Sequence, residues 1–288
     1  MESRFSSRHA YLIMAHTNFD QLQQLIDLLD HPDNDIYLHI DQRSQVDVSR
    51  FHADHSGLDF VPRMKITWGG HSQTLCELEL MRAASGKHYQ YYHLISGLDL
   101  PIKSQEQIHS FFDAHNGQNF IDFDSVQDPR LFEDRVNVYY FFQDYIGRNE
   151  CGKYRILGWM EHFSLILQKV FRIRRKPCFP LCKGANWFSI TDDMVQYILR
   201  QEKAIRKQFC YGRCADELFL QSAAMASPYA DTLSTFPTRA IDWERGNPYV
   251  YHSEDVEALL ASPSLFGRKF DQRVDPAAVT RMAAVLKS

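Results

Sequence analysis

Short apolar runs alternate with segments of helical periodicity along residues 1–125. Residues 10–15 form a continuous apolar run, which is typical of a strand buried on both faces of a sheet. Asn18 then precedes apolar residues spaced three and four apart, which predicts a helix capped by Asn18. Further strands are predicted at 36–40, 66–68, 91–95 and 119–121, and further helices at about 72–84 and 104–114. This alternation predicts an α/β fold on a mostly parallel sheet flanked by helices.

The pattern is less regular beyond residue 125. Residues 159–171 form an amphipathic helical segment, and a basic run, 172–176, follows at once. We expect a core-facing helix with a solvated basic end, and a peripheral membrane contact through 159–176 is the alternative. Residues 185–190 are strand-like, Thr191 is expected to cap a helix that runs to about 202, and 203–213 is expected to be a loop.

Two adjacent carboxylates, Asp216 and Glu217, open a segment that is almost wholly apolar from 218 to 225. The pattern predicts a buried helix with both acids in its first turn, where the helix dipole favours negative charge. Two interpretations follow. The acids are the ordinary start of a helix, or one of them is a general base held rigidly at the lip of a pocket.

The composition and net charge argue against a nucleic-acid-binding protein and against a membrane-spanning one. The 288 residues are 44% hydrophobic and 24% charged with a net charge of −4, as in a soluble globular protein without a nucleic-acid partner. No apolar run approaches the ~20 residues that span a bilayer. No hydrophobic signal region separates Met1 from the first strand, so we expect a cytoplasmic protein, peripheral at the inner face of the membrane if segment 159–176 binds lipid.

The six cysteines include two pairs with a spacing that a zinc site could use, Cys178 with Cys182 and Cys210 with Cys214. The spacing is looser than that of zinc ribbons and no histidine adjoins either pair, so free thiols are favoured.

Polar clusters follow three predicted strands, at 16–18, 41–44 and 96–99. Ligands of such sheets bind at the carboxyl ends of the strands, so these clusters are expected to line one site. The motifs GxGxxG, GxxxxGK[ST], HExxH and GxSxG are absent, and neither a dinucleotide fold nor a P-loop is indicated.

Seven short motifs occur in the order found in one enzyme family: HIDQRS (39–44), WGGHS (68–72), LISGLDLP (94–101), NFI (119–121), GANWFSI (184–190), ADELFLQ (215–221) and FGRKFD (266–271). The chain thereby resembles the core-2/I-branching β-1,6-N-acetylglucosaminyltransferases, with the related peptide O-xylosyltransferases, and looks like a bacterial-type member. The resemblance implies one GT-A-like domain over 1–288, with a donor-binding half at about 1–125 and an acceptor and catalytic half at about 126–288. It also implies inverting transfer from a UDP-sugar, expected to be UDP-N-acetylglucosamine, to a hydroxyl of a glycan acceptor.

The resemblance also assigns site residues. Glu217 matches the catalytic base, and Asp216 matches the base of the xylosyltransferase type. The donor-binding positions matched in the family are Asp41, Arg43, Arg245, Arg268 and Lys269, of which the last three would neutralise the diphosphate without a metal. His16 and Thr17, at the end of the first strand, are expected to line the same donor pocket. Asp99 and Trp187 are expected on the acceptor side.

Several alternatives stay open. Asp122 and Asp124 form a DxD look-alike that could hold a metal. The protein could transfer another sugar such as xylose with Asp216 as base, or hydrolyse glycosides with Asp99 as a second carboxylate, or bind a sugar nucleotide without catalysis. Asp41 and Arg43 could simply close a loop with a salt bridge. Trp68 and Trp187 fit packing better than sugar stacking.

Overall fold

The computed structural model describes residues 6–149 and 151–287, which form two sheets and eleven α-helices. The strands are β1 (Ser6–Ala15), β2 (Asn34–Ile40), β3 (Gly57–Phe60), β4 (Tyr89–Ser96), β5 (Asp99–Pro101), β6 (Asn119–Ile121), β7 (Phe188–Thr191), β8 (Leu233–Ser234), β9 (Arg239–Ile241) and β10 (Phe266–Arg268). The helices are α1 (Phe19–Leu29), α2 (His71–Ser85), α3 (Gln105–Ala114), α4 (Asp134–Asn137), α5 (Gln143–Ile146), α6 (Lys153–Val170), α7 (Asp192–Arg200), α8 (Glu202–Phe209), α9 (Phe219–Met225), α10 (Val256–Ala261) and α11 (Pro276–Leu286).

The larger sheet has the strand order β3-β2-β1-β4-β7-β6-β8. Strand β1 pairs in parallel with β2 and β4, and β7 runs antiparallel between β4 and β6. Because β1, β2 and β4 point the same way, the residues that follow them meet at one edge. The predicted α/β sheet flanked by helices is confirmed.

The smaller sheet has the order β5-β10-β9 and lies beside this edge. Strand β10 is antiparallel to β5, in a register that sets Arg268 opposite Asp99. A motif near the end of the chain is thereby brought to the loop that follows β4.

The predicted strand at 66–68 is wrong, because the third strand of the sheet is β3. The backbone N–H of Ile66 donates to Asp41 Oδ2 at 3.0 Å and that of Thr67 donates to Ser72 Oγ at 2.9 Å. These groups therefore bond to side chains and leave no ladder for a strand.

Two other local predictions need correction. The expected loop at 203–213 is instead largely α8, whose Ile205 and Phe209, four residues apart, are fully buried. Asn18 precedes α1 as expected, but its side chain donates to Asp271 Oδ1 at 2.7 Å instead of capping the helix. Thr191 does cap α7, through a hydrogen bond from the N–H of Met194.

The acidic pair lies just outside the helix predicted to contain it. Ala215–Glu217 form one turn of 3₁₀ helix, and α9 starts two residues later at Phe219. Leu218, Phe219 and Leu220 are fully buried, as the apolar pattern predicted. The carboxylates are therefore held on a tight turn whose position is fixed by a buried helix.

The expectation that 159–171 faces the core is wrong. Helix α6 buries Glu161 and Gln168, whereas most of its large apolar side chains are exposed. Gln168 Oε1 accepts the N–H of Tyr139 at 2.7 Å, and its Nε2 donates to the carbonyl of the same residue at 2.9 Å. The helix is thus attached to the segment beneath it by polar side chains.

Candidate active site

The strand-end edge is the edge of the larger sheet at which β1, β2 and β4 end. Asp41 lies there, directly after β2. Its Oδ1 accepts from the backbone N–H and Nε of Arg43 at 2.8 and 3.0 Å, and its Oδ2 accepts from Arg43 Nη2 at 2.7 Å. Burial would raise the pKa of Asp41, but these bonds and the one from Ile66 outweigh it and hold the pKa below its ordinary value. The carboxylate thus fixes Arg43, whose side chain is about half exposed at 54%.

His16 and Thr17 follow β1 at the same edge. The exposed His16 lies within electrostatic range of Asp41, Arg43, Arg268 and Arg273. Residues predicted to bind the donor from three separate parts of the chain are therefore neighbours here. Arg273, held by Asp271 at 2.8 Å, is an additional cation that sequence reasoning missed, although it stands only five residues after Arg268.

Arg268 is the most firmly positioned cation at this edge. Its Nη1 donates to Asp99 Oδ1 at 2.7 Å and to Ser96 Oγ at 2.6 Å, and its guanidinium lies 4.1 Å from the ring centre of Trp187. Asp99 Oδ2 also accepts the N–H of Ser96 at 2.7 Å. Asp99 and Trp187, both expected on the acceptor side, are thus direct partners of Arg268. Lys269 follows and is half-buried.

A second guanidinium lies beneath the first. Arg239 is buried, and its Nη1 donates to Ser189 Oγ at 2.8 Å and to Thr238 Oγ1 at 2.6 Å. Burial lowers the pKa of Arg239 to about 10, although Asp122 and Asp99 oppose this by favouring its charge. Sequence reasoning missed it, because the segment around Arg239 has no clear apolar pattern that would indicate a buried strand.

Glu217 is held by two cations from distant parts of the chain. Its Oε2 lies 2.7 Å from Arg135 Nη1 and 3.7 Å from Lys183 Nζ, and its side chain is 35% exposed. Lys183 Nζ also contacts Asp124 Oδ2 at 2.5 Å. Both cations line an open cavity of about 380 Å³, together with Asp124 and Phe132. Sequence reasoning missed both, although Lys183 directly precedes the GANWFSI motif.

Gly184 allows Lys183 to reach this position. Its N–H donates to the carbonyl of Glu217 at 3.0 Å, and a Cβ here would lie 1.8 Å from the carbonyl oxygen of Asp122. Only glycine fits between these two backbones. The segment 183–187 therefore runs from the partner of Glu217 at one end to the tryptophan under Arg268 at the other.

Asp216 points inward. Its Oδ2 accepts from Gln73 Nε2 at 2.9 Å, while its Oδ1 is buried with no hydrogen-bond partner among the described residues. Burial, followed by the charge of Glu217, raises its pKa to about 7. Glu77 lies behind it, fully buried, with a pKa raised by burial and by Asp216. The two neighbouring acids of the motif thus differ sharply in environment.

Arg245 occupies a different position from the other predicted donor-binding cations. Its Nε lies 2.5 Å from Asp242 and its Nη1 lies 2.8 Å from Asp255, and its guanidinium stacks 4.0 Å from the ring centre of Tyr249. The loop that carries Arg245 also contacts Lys269, because the N–H of Tyr251 donates to the carbonyl of Lys269 at 2.9 Å. The charge of Arg245 is therefore directed to two carboxylates, while the backbone of its loop contacts that of Lys269.

All six cysteines are free. Across residues 6–149 and 151–287 there is no cluster of three or more His, Cys, Asp or Glu side chains arranged to hold a metal ion. Within the same described ranges, no helix has the length and apolar character needed to cross a membrane.

The described residues thus include a strand-end edge rich in guanidinium groups and a carboxylate, Glu217, held by two cations that line an open cavity. The family profile described as "Branch: Core-2/I-Branching enzyme" matches residues 9–267. The chain belongs to the Core-2/I-branching enzyme family, and the resemblance drawn from its sequence motifs is confirmed.

The curated relatives are xylosyltransferases. Xylosyltransferase 2 of Rattus norvegicus is 21% identical over 301 residues, which cover 93% of this chain and 32% of that protein. Xylosyltransferase 1 of Homo sapiens is 22% identical over 298 residues, which cover 93% of this chain and 29% of that protein. The chain therefore spans about a third of the length of the curated relatives it matches.

Two solved structures show a distant likeness. Mouse xyloside xylosyltransferase 1 in its apo form has a TM-score of 0.38 and 12% identity, over 90% of this chain and 96% of that chain. TarS of S. aureus has a TM-score of 0.39 and 7% identity, over 96% of this chain and 39% of that chain.

Proposed function

We propose that this protein is an inverting glycosyltransferase that moves a sugar from a UDP-sugar to a hydroxyl of a glycan acceptor, with Glu217 as general base and without a metal ion. One observation carries the proposal. The segment 183–187 links the two groups that the reaction needs. Lys183, at its start, contacts the carboxylate of Glu217, and the ring of Trp187, at its end, stacks on the guanidinium of Arg268. This link supports a site in which Glu217 would act as base and Arg268 would bind the phosphates, as direct displacement of a nucleoside diphosphate requires.

Glu217 suits the base better than its neighbour. The acceptor hydroxyl must lose a proton as it attacks the anomeric carbon, and its base must come within ~2.6–3.2 Å of it. The described partners of Glu217 both contact Oε2, which orients the carboxylate and leaves Oε1 for an acceptor. Asp216 is 7% exposed and bonded to Gln73, so an acceptor would reach it only after rearrangement. This supports Glu217 over the xylosyltransferase-type alternative.

The diphosphate would be neutralised by side chains. Arg268 and Lys269 adjoin Arg43 and Arg273 at the strand-end edge, and guanidinium groups form strong charge-assisted hydrogen bonds to phosphate. Arg245, from the adjoining loop, would join them after exchanging one of its carboxylate partners for the donor.

The DxD look-alike already has cationic neighbours. Lys183 neutralises Asp124, and the half-buried Asp122 lies within electrostatic range of Arg239. This pairing supports a reaction that uses no metal at these two carboxylates. Asp41 and Arg43 would hold the uracil end, with His16 and Thr17 beside them.

The donor sugar is proposed to be N-acetylglucosamine, and xylose is the second candidate because the curated relatives are named xylosyltransferases. Glycoside hydrolysis is disfavoured, because Asp99 is engaged by Arg268 and Ser96 and is not free to act as a second carboxylate. A thermal-shift panel of UDP-sugars and other nucleotide sugars would separate these donors. A protein that binds UDP-sugars without any turnover would instead be a non-catalytic binder.

The central test is Glu217→Gln, which keeps the shape and removes the proton acceptor. We expect kcat to fall by roughly 10²–10⁴-fold with donor affinity little changed. Asp216→Asn is the matched control on the same turn and should keep most of the turnover. Unfolding temperatures of both variants would show whether loss of the ion pairs with Arg135 and Lys183 has disturbed the fold. Near-wild-type turnover in Glu217→Gln, with loss in Asp216→Asn, would transfer the role of base to Asp216.

A further inference from the structure

A continuous stripe of apolar side chains runs along the outer face of α6. Trp159, Phe163 and Val170 are 70%, 61% and 67% exposed, and residues three and four apart share one face of a helix. The stripe comprises Ile156, Trp159, Met160, Phe163, Ile166, Leu167 and Val170. The 18 residues of α6 extend about 27 Å at a rise of about 1.5 Å each. This is one long apolar surface, larger than the scattered exposed residues of ordinary proteins.

Polar anchors on the opposite face hold the stripe outward. Glu161 accepts the N–H groups of Phe141 and Phe142 at 3.2 and 2.5 Å, and Gln168 bonds both backbone groups of Tyr139. Rotating α6 to bury the stripe would break these bonds and leave the N–H groups unpaired. The exposure of the stripe is therefore built into the packing of the helix.

The surroundings of the stripe are cationic. Lys169, Arg172 and Lys176 are exposed and form no ion pair within the part of the chain that the structure describes. Lys153 and Arg155 extend the positive charge to the start of the helix, where Arg155 lies near the ring of Trp159 at 5.9 Å. Between 151 and 176 the single acidic residue is Glu161, which is buried.

We propose that α6 and the basic run 172–176 dock onto the surface of a lipid bilayer that contains anionic lipid. An apolar stripe with tryptophan and phenylalanine, flanked by lysine and arginine, is the composition of a helix that lies in the membrane interface. Anionic headgroups complement the cationic rim while the stripe enters the boundary with the acyl chains. If two copies of this chain packed stripe against stripe, the lysine and arginine residues around the two stripes would face each other and repel.

The docking face adjoins the proposed active site. Tyr154, in the first turn of α6, lies within electrostatic range of Arg43. The segment under α6 continues backward to Arg135, which holds Glu217. Docking would therefore present the site to acceptors at the bilayer surface. This consequence rests on the proposed function, whereas the docking itself does not.

Vesicle co-sedimentation of the full chain, without nucleotide sugar, tests the proposal. Vesicles of phosphatidylcholine alone would be compared with vesicles containing about one third phosphatidylglycerol, at low and high salt. We expect binding only to the anionic vesicles, with release at high salt. Arg172→Gln with Lys176→Gln should weaken binding by roughly fivefold for each cation removed. Trp159→Ser with Phe163→Ser should abolish it.

Matched controls change exposed residues outside the docking face. Arg200→Gln with Lys203→Gln removes the same charge, and Trp243→Ser removes an indole that is 58% exposed. Both controls should bind like the wild type, and every variant should keep its unfolding temperature because the changed side chains are exposed.

Three results would overturn the docking proposal. The wild type could stay in the supernatant at low salt, or the α6 variants could bind as well as the controls. Sedimentation velocity could also show a dimer that Trp159→Ser with Phe163→Ser converts to a monomer, which would assign the stripe to a second copy. Vesicle binding without any turnover of UDP-sugars would count against the proposed function alone.

Discussion

Asp216 should make the protein lose stability as the pH rises, and Asp216→Asn should remove that loss. Its pKa is raised from an ordinary 3.8 to about 7, first by burial and then by the charge of Glu217. Between these two values the folded state keeps a proton that the unfolded state releases. The free energy of unfolding therefore falls with pH across this window.

The magnitude follows from the width of the window. The gap between 3.8 and about 7 is roughly three pH units, and each unit corresponds to about 1.36 kcal/mol. The raised pKa of Asp216 should therefore lower the free energy of unfolding by about 4 kcal/mol at pH 8 relative to pH 3. Most of this decrease should fall between pH 4 and 7. Asparagine has the same shape and does not titrate.

Denaturant unfolding of the wild type and Asp216→Asn at several pH values between 4 and 8 would measure this effect. The quantity to compare is the difference in the free energy of unfolding between the two proteins, which should grow in favour of the variant as pH rises. Glu77 is present in both proteins, and its pKa is raised first by burial and then by Asp216, so Asp216→Asn should also lower the pKa of Glu77 and change the difference in the same direction. Asp231→Asn, at an exposed aspartate, is the control and should show no such trend. Parallel pH profiles for the wild type and Asp216→Asn would refute the assignment of a buried, proton-binding carboxyl.

Two further predictions concern the donor. Transfer activity should survive excess EDTA, because the cations of the site can neutralise the diphosphate, and loss of activity restored by Mn²⁺ or Mg²⁺ would make Asp122 and Asp124 metal ligands instead. Arg43→Ala should weaken UDP binding by about 10- to 100-fold in calorimetry, the usual effect of losing a hydrogen bond to a charged group. Arg50→Ala, at an arginine paired with Asp20 on the exposed surface, should leave UDP affinity unchanged.

The fold was largely predictable where burial dictates the pattern. Strands β1, β2 and β4 are buried on both faces because helices cover the sheet, and their sequences show this as mainly apolar runs. The false strand at 66–68 had a similar apolar character. Its position in a loop depends on the Asp41 carboxylate, which takes the N–H of Ile66. That contact joins residues 25 apart in the chain and leaves no mark on local periodicity.

The candidate site was predictable to the extent that motifs and strand ends bring its residues together. His16, Asp41 and Asp99 follow strands, and Glu217 and Arg268 stand in motifs of the family. Their partners were not predictable in the same way. Arg135 lies 82 residues before Glu217 in the chain, and Arg239 reaches Ser189 from 50 residues away. Neither arginine stands in one of the seven motifs, so only the folded chain reveals what holds these groups in place.

Helix α6 shows why an apolar stripe alone does not predict which side of a helix is buried. Periodicity identified the stripe correctly, but a core and a membrane surface both withdraw apolar groups from water. The choice depends on the segment 139–142, whose backbone groups bond to Glu161 and Gln168 and so require the polar face inside. A buried glutamate and glutamine on an amphipathic helix are costly unless they are hydrogen-bonded, and here each one is. Two polar residues seven positions apart therefore mark the anchored face, and the apolar stripe opposite them stays exposed.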